Sequence, residues 1–352
     1  MILEDKKKAF IQLGLFLGQF SAQPYQQNKT VLFNGVFFER MQSLINQLHE
    51  SNSWFKRPQL EFAFKSWSNA LTQDNLDKWL KFYDLSNEKL KTIGLILAGN
   101  IPMVGFHDVL SVLISGNKAL IKLSSNDELL IPLILDYLVT IEPEFKNRYK
   151  ITKEKLENFD AVIATGSDNT ARYFDYYFGK YPNIIRKNRN SVAILNGNES
   201  KEDLFALGED IFRYYGLGCR NVSKLFVPKG YNFDAFFESM FAFKDLINDE
   251  KYTNNYDYNK AVYLMSNFNI LDNGFFTIKE DTSYASPISS VFYEYYEDLD
   301  ALKSKINLDN EKIQCVVSNR LIENSVSFGS TQNPALWDYA DDVDTMKFLV
   351  SL

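Results

Sequence analysis

From residue 91 onward the sequence alternates short apolar segments with amphipathic ones, and this alternation limits the fold more than any other feature. The apolar segments have the length of buried strands, and the segments between them have the length and periodicity of helices. Strands are predicted over residues 92–98, 118–123 and 161–164. Each is followed by a predicted helix, over residues 104–115, 127–138 and 169–178. Strands joined by such helices pair in parallel through right-handed crossovers. The sequence therefore predicts an α/β protein with a doubly wound parallel sheet.

Polar residues follow three of the predicted strands. Asn100 comes after the first strand, Lys122 lies at the end of the second, and Gly166 and Ser167 follow the third. Ligands of doubly wound sheets bind beyond the carboxyl ends of the strands, so these residues are candidates for ligand contact. Each also has a simpler interpretation. The lysine can be a solvated side chain, the asparagine can end a strand, and the Gly-Ser pair can form a turn that caps a helix.

A cysteine follows Gly-Leu-Gly between a predicted helix over 202–215 and a predicted strand over 224–227. The glycines allow a tight turn and leave the sulfur of Cys219 uncovered by neighbouring side chains, which suits a thiol that reacts with a substrate. The alternative is a small residue packed at a helix–strand junction. The other cysteine, Cys315, lies in a predicted buried strand.

The remaining patterns predict how the chain is divided. The first 90 residues have helical periodicity and are expected to pack on the cofactor domain. The predicted divisions are, in order, a helical N-terminal region (1–90), a nucleotide-binding domain (91–200), a catalytic domain (201–330) and a C-terminal segment (331–352). Within the catalytic domain, the polar aromatic stretch 249–259 is a predicted loop and 261–265 is a predicted strand.

Composition narrows the range of functions. The chain has 38 basic and 45 acidic residues, a net charge of −7, and no basic cluster, which argues against a nucleic-acid partner. Two cysteines among 352 residues fit a reducing cytoplasm. The longest apolar stretch, 93–116, is interrupted by polar residues and a proline, so no membrane span is predicted. The N-terminus lacks a signal-peptide pattern, and we expect a cytoplasmic protein without a metal site.

Five short motifs occur in a characteristic order. They are Gly99-Asn100-Ile101-Pro102, Gly116-Asn117-Lys118-Ala119-Leu120-Ile121-Lys122, Thr165-Gly166-Ser167, Gly218-Cys219-Arg220 and Phe328-Gly329-Ser330. In this order and spacing they resemble the aldehyde dehydrogenase superfamily. Within it, the sequence is most similar to the LuxC-type acyl-CoA reductases, which are fatty-acid reductases. The resemblance covers roughly residues 91–350 and implies an aldehyde dehydrogenase-like fold.

The resemblance implies NADPH-dependent reduction of an acyl-CoA, with a fatty acyl group, to an aldehyde. Cys219 would attack the thioester and form an acyl-cysteine intermediate. Asn100 would donate its side-chain N–H to the oxyanion, together with the backbone N–H of Cys219. Lys122 matches the position that contacts the adenosine ribose. Gly166 and Ser167 match the turn at the start of a helix where backbone donors meet the pyrophosphate.

Two departures from the superfamily pattern bear on the reaction. Hydrolysing members carry a glutamate that activates water, but the corresponding stretch 184–191 has no carboxylate, so a thiol such as coenzyme A is the expected acyl partner. The glutamate motif that holds the nicotinamide ribose is replaced near 283–287. Ser124 and Ser125 stand in place of an acidic residue that would repel a 2′-phosphate, which favours NADPH, with NADH as the alternative.

Other functions fit the same residues. One is reduction of another activated acyl group, either an acyl phosphate or an acyl carrier protein thioester. Another is a non-catalytic partner subunit that binds nucleotide or acyl-CoA. The expected partners are the acyl-CoA substrate, a second copy of the chain in a homodimer, and an acyl-transfer enzyme. Because 352 residues are few for this superfamily, a reduced oligomerising arm is expected.

Two further features have alternative interpretations. His107, on the helix after Asn100, is either a proton donor to the thiohemiacetal or a helix histidine held by its neighbours. Arg186, Lys187 and Arg189 form a basic stretch that either faces phosphate groups or is a solvated loop.

Overall fold

The computed structural model describes residues 1–85 and 90–352, which divide into two units. The first unit comprises Met1–Lys187 and Ala335–Leu352, and the second comprises Asn188–Pro334. The sequence placed a domain boundary after residue 200, whereas this division falls earlier in the chain. The reason is that the strand over Asn190–Ile194 pairs with the strand over Val222–Pro228, which belongs to the second unit.

The first unit is built on a five-stranded sheet. Its strands are β1 (Thr92–Ile96), β2 (Lys118–Lys122), β3 (Tyr149–Ile151), β4 (Ala161–Thr165) and β5 (Asn183–Arg186). They pair in the order β3-β2-β1-β4-β5, and every neighbouring pair is parallel. Strand β1 lies in the centre, where Leu95 is level with Ile121 on one side and Ile163 on the other. Apolar residues fill both faces of such a strand because helices cover the sheet on both sides.

The helices of the first unit include the N-terminal region. They are α1 (Leu3–Gly18), α2 (Asn34–Ser51), α3 (Arg57–Ala70), α4 (Gln73–Leu80), α5 (Phe106–Ile114), α6 (Leu130–Ile141), α7 (Asp168–Phe178) and a C-terminal helix over Thr345–Val350. The ring of Phe16 on α1 stacks on that of Tyr137 on α6, with 4.3 Å between ring centroids. Both side chains are fully buried, so the N-terminal helices share a core with the first sheet.

The second unit contains a six-stranded sheet. Its strands are β6 (Asn190–Ile194), β7 (Val222–Pro228), β8 (Ile270–Asp272), β9 (Thr277–Glu280), β10 (Ser290–Tyr296) and β11 (Ile313–Val317). They pair in the order β11-β6-β7-β10-β9-β8, and only the β8–β9 pair is antiparallel among the described strands. The helices are α8 (Lys201–Phe212), α9 (Asp234–Met240), α10 (Glu250–Met265) and α11 (Leu299–Leu308); the C-terminal helix is α12. The predicted fold class, parallel α/β with a helical N-terminal region, is confirmed.

Helix α10 corrects two predictions for the catalytic domain. The predicted loop 249–259 and the predicted strand 261–265 together form this one helix. Its start is fixed by Asp249, whose carboxylate accepts the backbone N–H groups of Lys251 and Tyr252. Its buried face carries Tyr252, Tyr256, Asn259 and Tyr263, at helical spacing. Because that face is made of tyrosine and asparagine instead of aliphatic residues, hydrophobic periodicity did not reveal it.

A buried ion pair joins helix α5 to the edge strand of the first sheet. Arg186 on β5 donates to Asp108 on α5, with 2.5 Å between Nη1 and Oδ2, and to the hydroxyl of Thr345 at 3.1 Å. Both charged side chains are buried. The arginine of the predicted basic stretch therefore has a structural role.

No helix within residues 1–85 or 90–352 is long and apolar enough to cross a membrane.

Replacing Arg186 by leucine is expected to lower the free energy of unfolding by about 3–5 kcal/mol. The variant leaves the Asp108 carboxylate buried without its cation, which costs far more than the loss of an exposed pair. The matched control is Lys153→Leu, because Lys153 and Glu128 form an exposed pair at 3.3 Å and should contribute less than about 1 kcal/mol. Equal losses for the two variants in urea unfolding would contradict this account.

Candidate active site

The centre of the first sheet is a topological switch point. From β1 the chain builds β2 and β3 to one side, and then β4 and β5 on the other side. In parallel sheets a crevice for ligands opens where the strand order reverses, at the carboxyl ends of the strands. Asn100 follows β1, and Gly166 and Ser167 follow β4, the two strands at this point. Lys122 is the last residue of β2, next to β1. The structure thus brings four of the predicted site residues to one edge.

The loop that carries Asn100 is fixed by its neighbours. Gly99 is buried, and a Cβ added there would lie 2.7 Å from the Cβ and Oγ of Ser124. Only glycine lets the loops after β1 and β2 approach this closely. The buried Asn52 side chain donates to the carbonyls of Gly99 and Asn126 at 3.4 and 3.2 Å. The N-terminal helical region therefore supports both loops, a role that its sequence pattern did not indicate.

A buried carboxyl also links these loops. Asp127 accepts the backbone N–H of Leu130 at 3.4 Å. Burial raises its pKa to about 6, and hydrogen bonds from the N–H groups of Leu130 and Met103 offset part of that rise. Met103 has a left-handed backbone, with φ of 60°. Asp127 thus connects the segment after Asn100 with the start of α6.

The predicted pyrophosphate turn is the start of helix α7. The hydroxyl of Ser167 accepts the backbone N–H of Thr170 at 3.4 Å and so caps the helix. A Cβ added at Gly166 would lie 2.9 Å from the Phe174 ring and 3.0 Å from Thr170. The simpler interpretation of these residues, a turn with a helix cap, is therefore present in the structure. Such a turn also exposes the first-turn N–H groups that bind anions in nucleotide sites.

Lys122 differs from most lysines in the chain. Its side chain is half-buried at the end of β2, where the residue is level with Ile96 on β1. Within residues 1–85 and 90–352, its ammonium group makes no ion pair. A cation held at a strand end in this way is able to contact the polar part of a ligand.

The thiol of Cys219 lies in the loop between α8 and β7 of the second unit and is exposed. Helix α8 ends at Phe212, earlier than predicted, because Tyr214 and Tyr215 have left-handed backbones with φ of 54° and 59°. These buried residues turn the chain out of the helix. Exposure is what a reacting thiol requires, whereas a packed small residue would be covered. Cys315 is buried.

Hydrogen bonds hold the Cys219 loop on several sides. The Ser191 hydroxyl donates to the Cys219 carbonyl at 3.0 Å. The side-chain oxygen of Asn221 accepts the Gly218 N–H at 2.8 Å, and the Asn221 N–H donates to the Gly218 carbonyl at 3.0 Å. The amide nitrogen of Asn221 donates to carbonyls at the end of α8, including that of Arg213 at 2.7 Å. The sequence motifs gave no signal for a role of Asn221.

The Phe328-Gly329-Ser330 motif is tied to helix α8 by Asp210. This fully buried carboxylate accepts the N–H of Gly329 at 2.7 Å, the N–H of Thr331 at 3.0 Å and the Thr331 hydroxyl at 2.8 Å. Burial raises the pKa of Asp210 to about 6, and these three donors limit the rise. A buried carboxylate next to a glycine turn is a signal that sequence alone does not give, because its partners are more than a hundred residues away.

The segment over 282–284, near which the sequence resemblance predicts a replaced ribose glutamate, is held by β7. Ser223 donates to the carbonyl of Tyr284 at 2.7 Å, and Lys224 donates to that of Thr282 at 2.8 Å. The Lys224 side chain is fully buried and pairs with Glu294 at 2.6 Å. Burial lowers its pKa, and the carboxylate of Glu294 opposes that effect. This segment is thus positioned through its backbone.

The remaining candidates have structural partners. His107 lies on α5, with Nε2 2.9 Å from the carbonyl of Leu336. Its ring lies between those of Trp67, Trp79 and Tyr339, at centroid distances of 6.5, 5.6 and 5.7 Å. This agrees with a helix histidine held by its neighbours.

The rest of the basic stretch is divided between the two units. Arg189 donates to the carbonyls of Asn310 and Ile313 at 3.3 and 3.4 Å. Lys187 is exposed and lies 3.9 Å from Asp175. Of the three basic residues, Lys187 alone has the exposure of a solvated loop residue.

Comparison with known proteins identifies the family. Residues 37–242 match the family model described as acyl-CoA reductase (LuxC), which is more than half of the 352 residues. The chain belongs to the LuxC acyl-CoA reductase family. Over 183 residues it is 23% identical to long-chain acyl-protein thioester reductase 2 of Photobacterium leiognathi, an alignment that covers 47% of this chain and 38% of that protein. The match therefore spans well under half of the relative's length.

Solved structures confirm the aldehyde dehydrogenase-like fold of this LuxC-family chain. Aldehyde dehydrogenase 21 from Physcomitrella patens, solved with succinate, has a TM-score of 0.67 at 14% identity, covering 100% of this chain and 84% of that one. Indole-3-acetaldehyde dehydrogenase AldA from P. syringae, solved with NAD⁺, has a TM-score of 0.63 at 13% identity, covering 90% and 72%. At such identities the likeness concerns the fold alone.

The raised pKa of Asp210 predicts a pH-dependent stability difference. The ordinary pKa is 3.8 and the native one is about 6, so between these values the native state binds the proton more tightly and loses stability as pH rises. In Asp210→Asn this dependence is absent, but one acceptor for Gly329 or Thr331 is lost. The variant should therefore be less stable near pH 4, and its deficit should shrink by roughly 3 kcal/mol towards pH 7. Parallel curves in urea unfolding at several pH values would contradict a raised pKa of this buried carboxyl.

Proposed function

We propose that this protein reduces an acyl-CoA, with a fatty acyl group, to the aldehyde through an acyl thioester on Cys219, with NADPH as the reductant. The observation that carries the proposal is the exposed thiol of Cys219 on a loop that hydrogen bonds hold at both flanking peptides, in a chain of the LuxC family. The long-chain acyl-protein thioester reductase among its relatives supports a thioester substrate.

Acylation is the step in which this chain's residues make and break bonds. The thiolate of Cys219 attacks the thioester carbon, and the carbonyl electrons move onto oxygen. The oxyanion then collapses, the bond to the coenzyme A sulfur breaks, and coenzyme A leaves as a thiolate that takes a proton from water. The backbone N–H of Cys219 stabilises the oxyanion, and Asn100 is the residue to which the family resemblance assigns a second donor. One such donor typically contributes a factor of about 10²–10³ in rate.

The chain favours a thiol over water as the acyl partner. Residues 184–191 contain no carboxylate that would act as a base for water. Arg186, within this stretch, is buried and paired with Asp108. An acyl-enzyme without a hydrolytic base survives until it is reduced or returned to coenzyme A.

The switch-point edge fits a nicotinamide dinucleotide. A Cβ at position 99 would collide with Ser124, so the glycine is what lets the loops after β1 and β2 pack together at this edge. Lys122 supplies a cation without an ion-pair partner in the described parts of the chain, for the adenosine ribose. Gly166 and Ser167 supply the helix start for the pyrophosphate, and Ser124 brings no negative charge that would repel a 2′-phosphate. When bound, the cofactor supplies the hydride that reduces the acyl group.

The first variant to test is Cys219→Ala, with Cys315→Ala as the matched cysteine control. Aldehyde formation from a fatty acyl-CoA and NADPH should fall below about 10⁻³ of the wild-type rate in Cys219→Ala, because no other group forms the thioester. The buried Cys315 should be replaceable with less than about a threefold change, since a small buried thiol acts as a packing residue. Aldehyde is measured by trapping with a hydrazine reagent.

The same assay separates the alternative functions. Faster turnover of an acyl phosphate or an acyl carrier protein thioester than of any acyl-CoA would contradict acyl-CoA as the substrate. Faster turnover with NADH than with NADPH would contradict the cofactor assignment. No aldehyde from any donor, with folded protein, would favour the non-catalytic binding subunit, to which the replaced ribose glutamate near 283–287 also points.

A further inference from the structure

The direction of the Cys219 N–H is set by a hydrogen bond on the same peptide group. The carbonyl of Gly218 accepts the backbone N–H of Asn221 at 3.0 Å. In a trans peptide the C=O and the N–H point in opposite directions. The Cys219 N–H therefore points away from the backbone N–H of Asn221. At the next peptide, Ser191 holds the Cys219 carbonyl.

The side chain of Asn221 fixes the preceding peptide against helix α8. Its oxygen accepts the Gly218 N–H at 2.8 Å. Its nitrogen donates to the carbonyls of Asp210, Ile211 and Arg213 at 3.1, 3.3 and 2.7 Å. The last carbonyls of a helix lack intrahelical partners and need donors from outside. The amide is 2% exposed, so water does not replace these bonds.

We propose that Asn221 is a positioning residue for acylation: its buried amide links the end of α8 to Gly218 and so fixes the Cys219 N–H and thiol for attack on the thioester. The inference rests on the proposed function, but it concerns a residue outside the family motifs quoted above. Positioning of Cys219 needs both sets of hydrogen bonds: the one that the amide oxygen of Asn221 accepts and those that its amide nitrogen donates. Removal of either set leaves the glycine-flanked loop free to rotate.

Asn221→Asp separates positioning from general stability. The carboxylate keeps the acceptor for Gly218 but places negative oxygen against three carbonyls. Once protonated, it donates a hydrogen bond to the nearest carbonyl, that of Arg213. Burial raises the pKa of such a carboxyl well above its ordinary value. Acylation by the variant should therefore recover as pH falls. A loss of stability caused by the buried carboxylate would recover in the same way, so a control with a second buried asparagine-to-aspartate change separates the two effects.

Other charged groups also lie near the loop. Asp210, with a pKa of about 6, faces Gly329 and Thr331. Glu209 pairs with the guanidinium of Arg213. Arg220 lies 3.3 Å from the Cys315 sulfur. The ratio of variant to wild-type rate at each pH removes the part of the pH dependence that the two proteins share.

The test measures coenzyme A release in a single turnover without NADPH, from about pH 8 to about pH 6. Asn221→Asp should be about 100-fold slower than wild type near pH 8, a factor typical of a misplaced oxyanion donor, and within about tenfold near pH 6. The matched control is Asn34→Asp, which alters a buried asparagine of the N-terminal region. Asn34 is hydrogen-bonded to Gln19 and Asn28. The control should lose stability yet acylate within about twofold of wild type at every pH.

Each outcome decides between named alternatives. The positioning role is overturned if Asn221→Asp acylates at the rate of the control. It is also overturned if Asn221→Asp is slowed and its rate does not recover at lower pH. Wild type that releases no coenzyme A from any donor overturns the proposed function and this inference together. If Asn221→Asp is unfolded near pH 8, Asn221→Ser replaces it. That variant keeps one hydroxyl near Gly218 and should be about tenfold slower than the control at all pH values; an unchanged rate overturns the role.

Discussion

Parallel pairing of β1 with both β2 and β4 is the constraint on which the first unit depends. Because all three strands run in one direction, the loops that follow them emerge at one edge. The strand order reverses between β1 and β4, so the crevice expected for a ligand lies between Asn100 on one side and Gly166 on the other. Residues that are far apart in sequence are adjacent there because of topology.

Buried polar side chains then hold the loops at their positions. Asn52 and Asp127 support the loops after β1 and β2. Asp210 and Asn221 do the same in the second unit, for the Gly329 turn and for the Cys219 loop. A buried polar group costs free energy unless its hydrogen bonds are satisfied, so such groups define one arrangement of the loop and disfavour others. Both units thus follow the same plan of glycine-rich loops with a buried polar support.

The sequence predicts the scaffold better than the supports. Alternating apolar segments predicted β1, β2 and β4 to within two residues of their observed ends, because a buried parallel strand needs continuous apolar residues. The two edge strands, β3 and β5, were not predicted. The predicted strand ends in turn placed four candidate residues at the edge of the sheet, namely Asn100, Lys122, Gly166 and Ser167.

The supports could not be predicted because their partners are distant in sequence. Asp210 contacts residues beyond 328, and Asn52 contacts the loops near residues 99 and 126. Helix α10 was missed because its buried face is made of tyrosine and asparagine. The left-handed backbones of Tyr214 and Tyr215 are also invisible in a residue pattern, since tyrosine rarely adopts that conformation.

The proposed reaction depends on Cys219 carrying the acyl group. The most direct measurement is the intact mass of the protein after mixing with a series of acyl-CoAs in the absence of NADPH, followed by peptide mapping. We expect a single acyl adduct on the peptide that contains Cys219, which hydroxylamine removes and which NADPH discharges as aldehyde. An adduct on Cys315 or on no cysteine, from protein that turns over the same acyl-CoA, would contradict it.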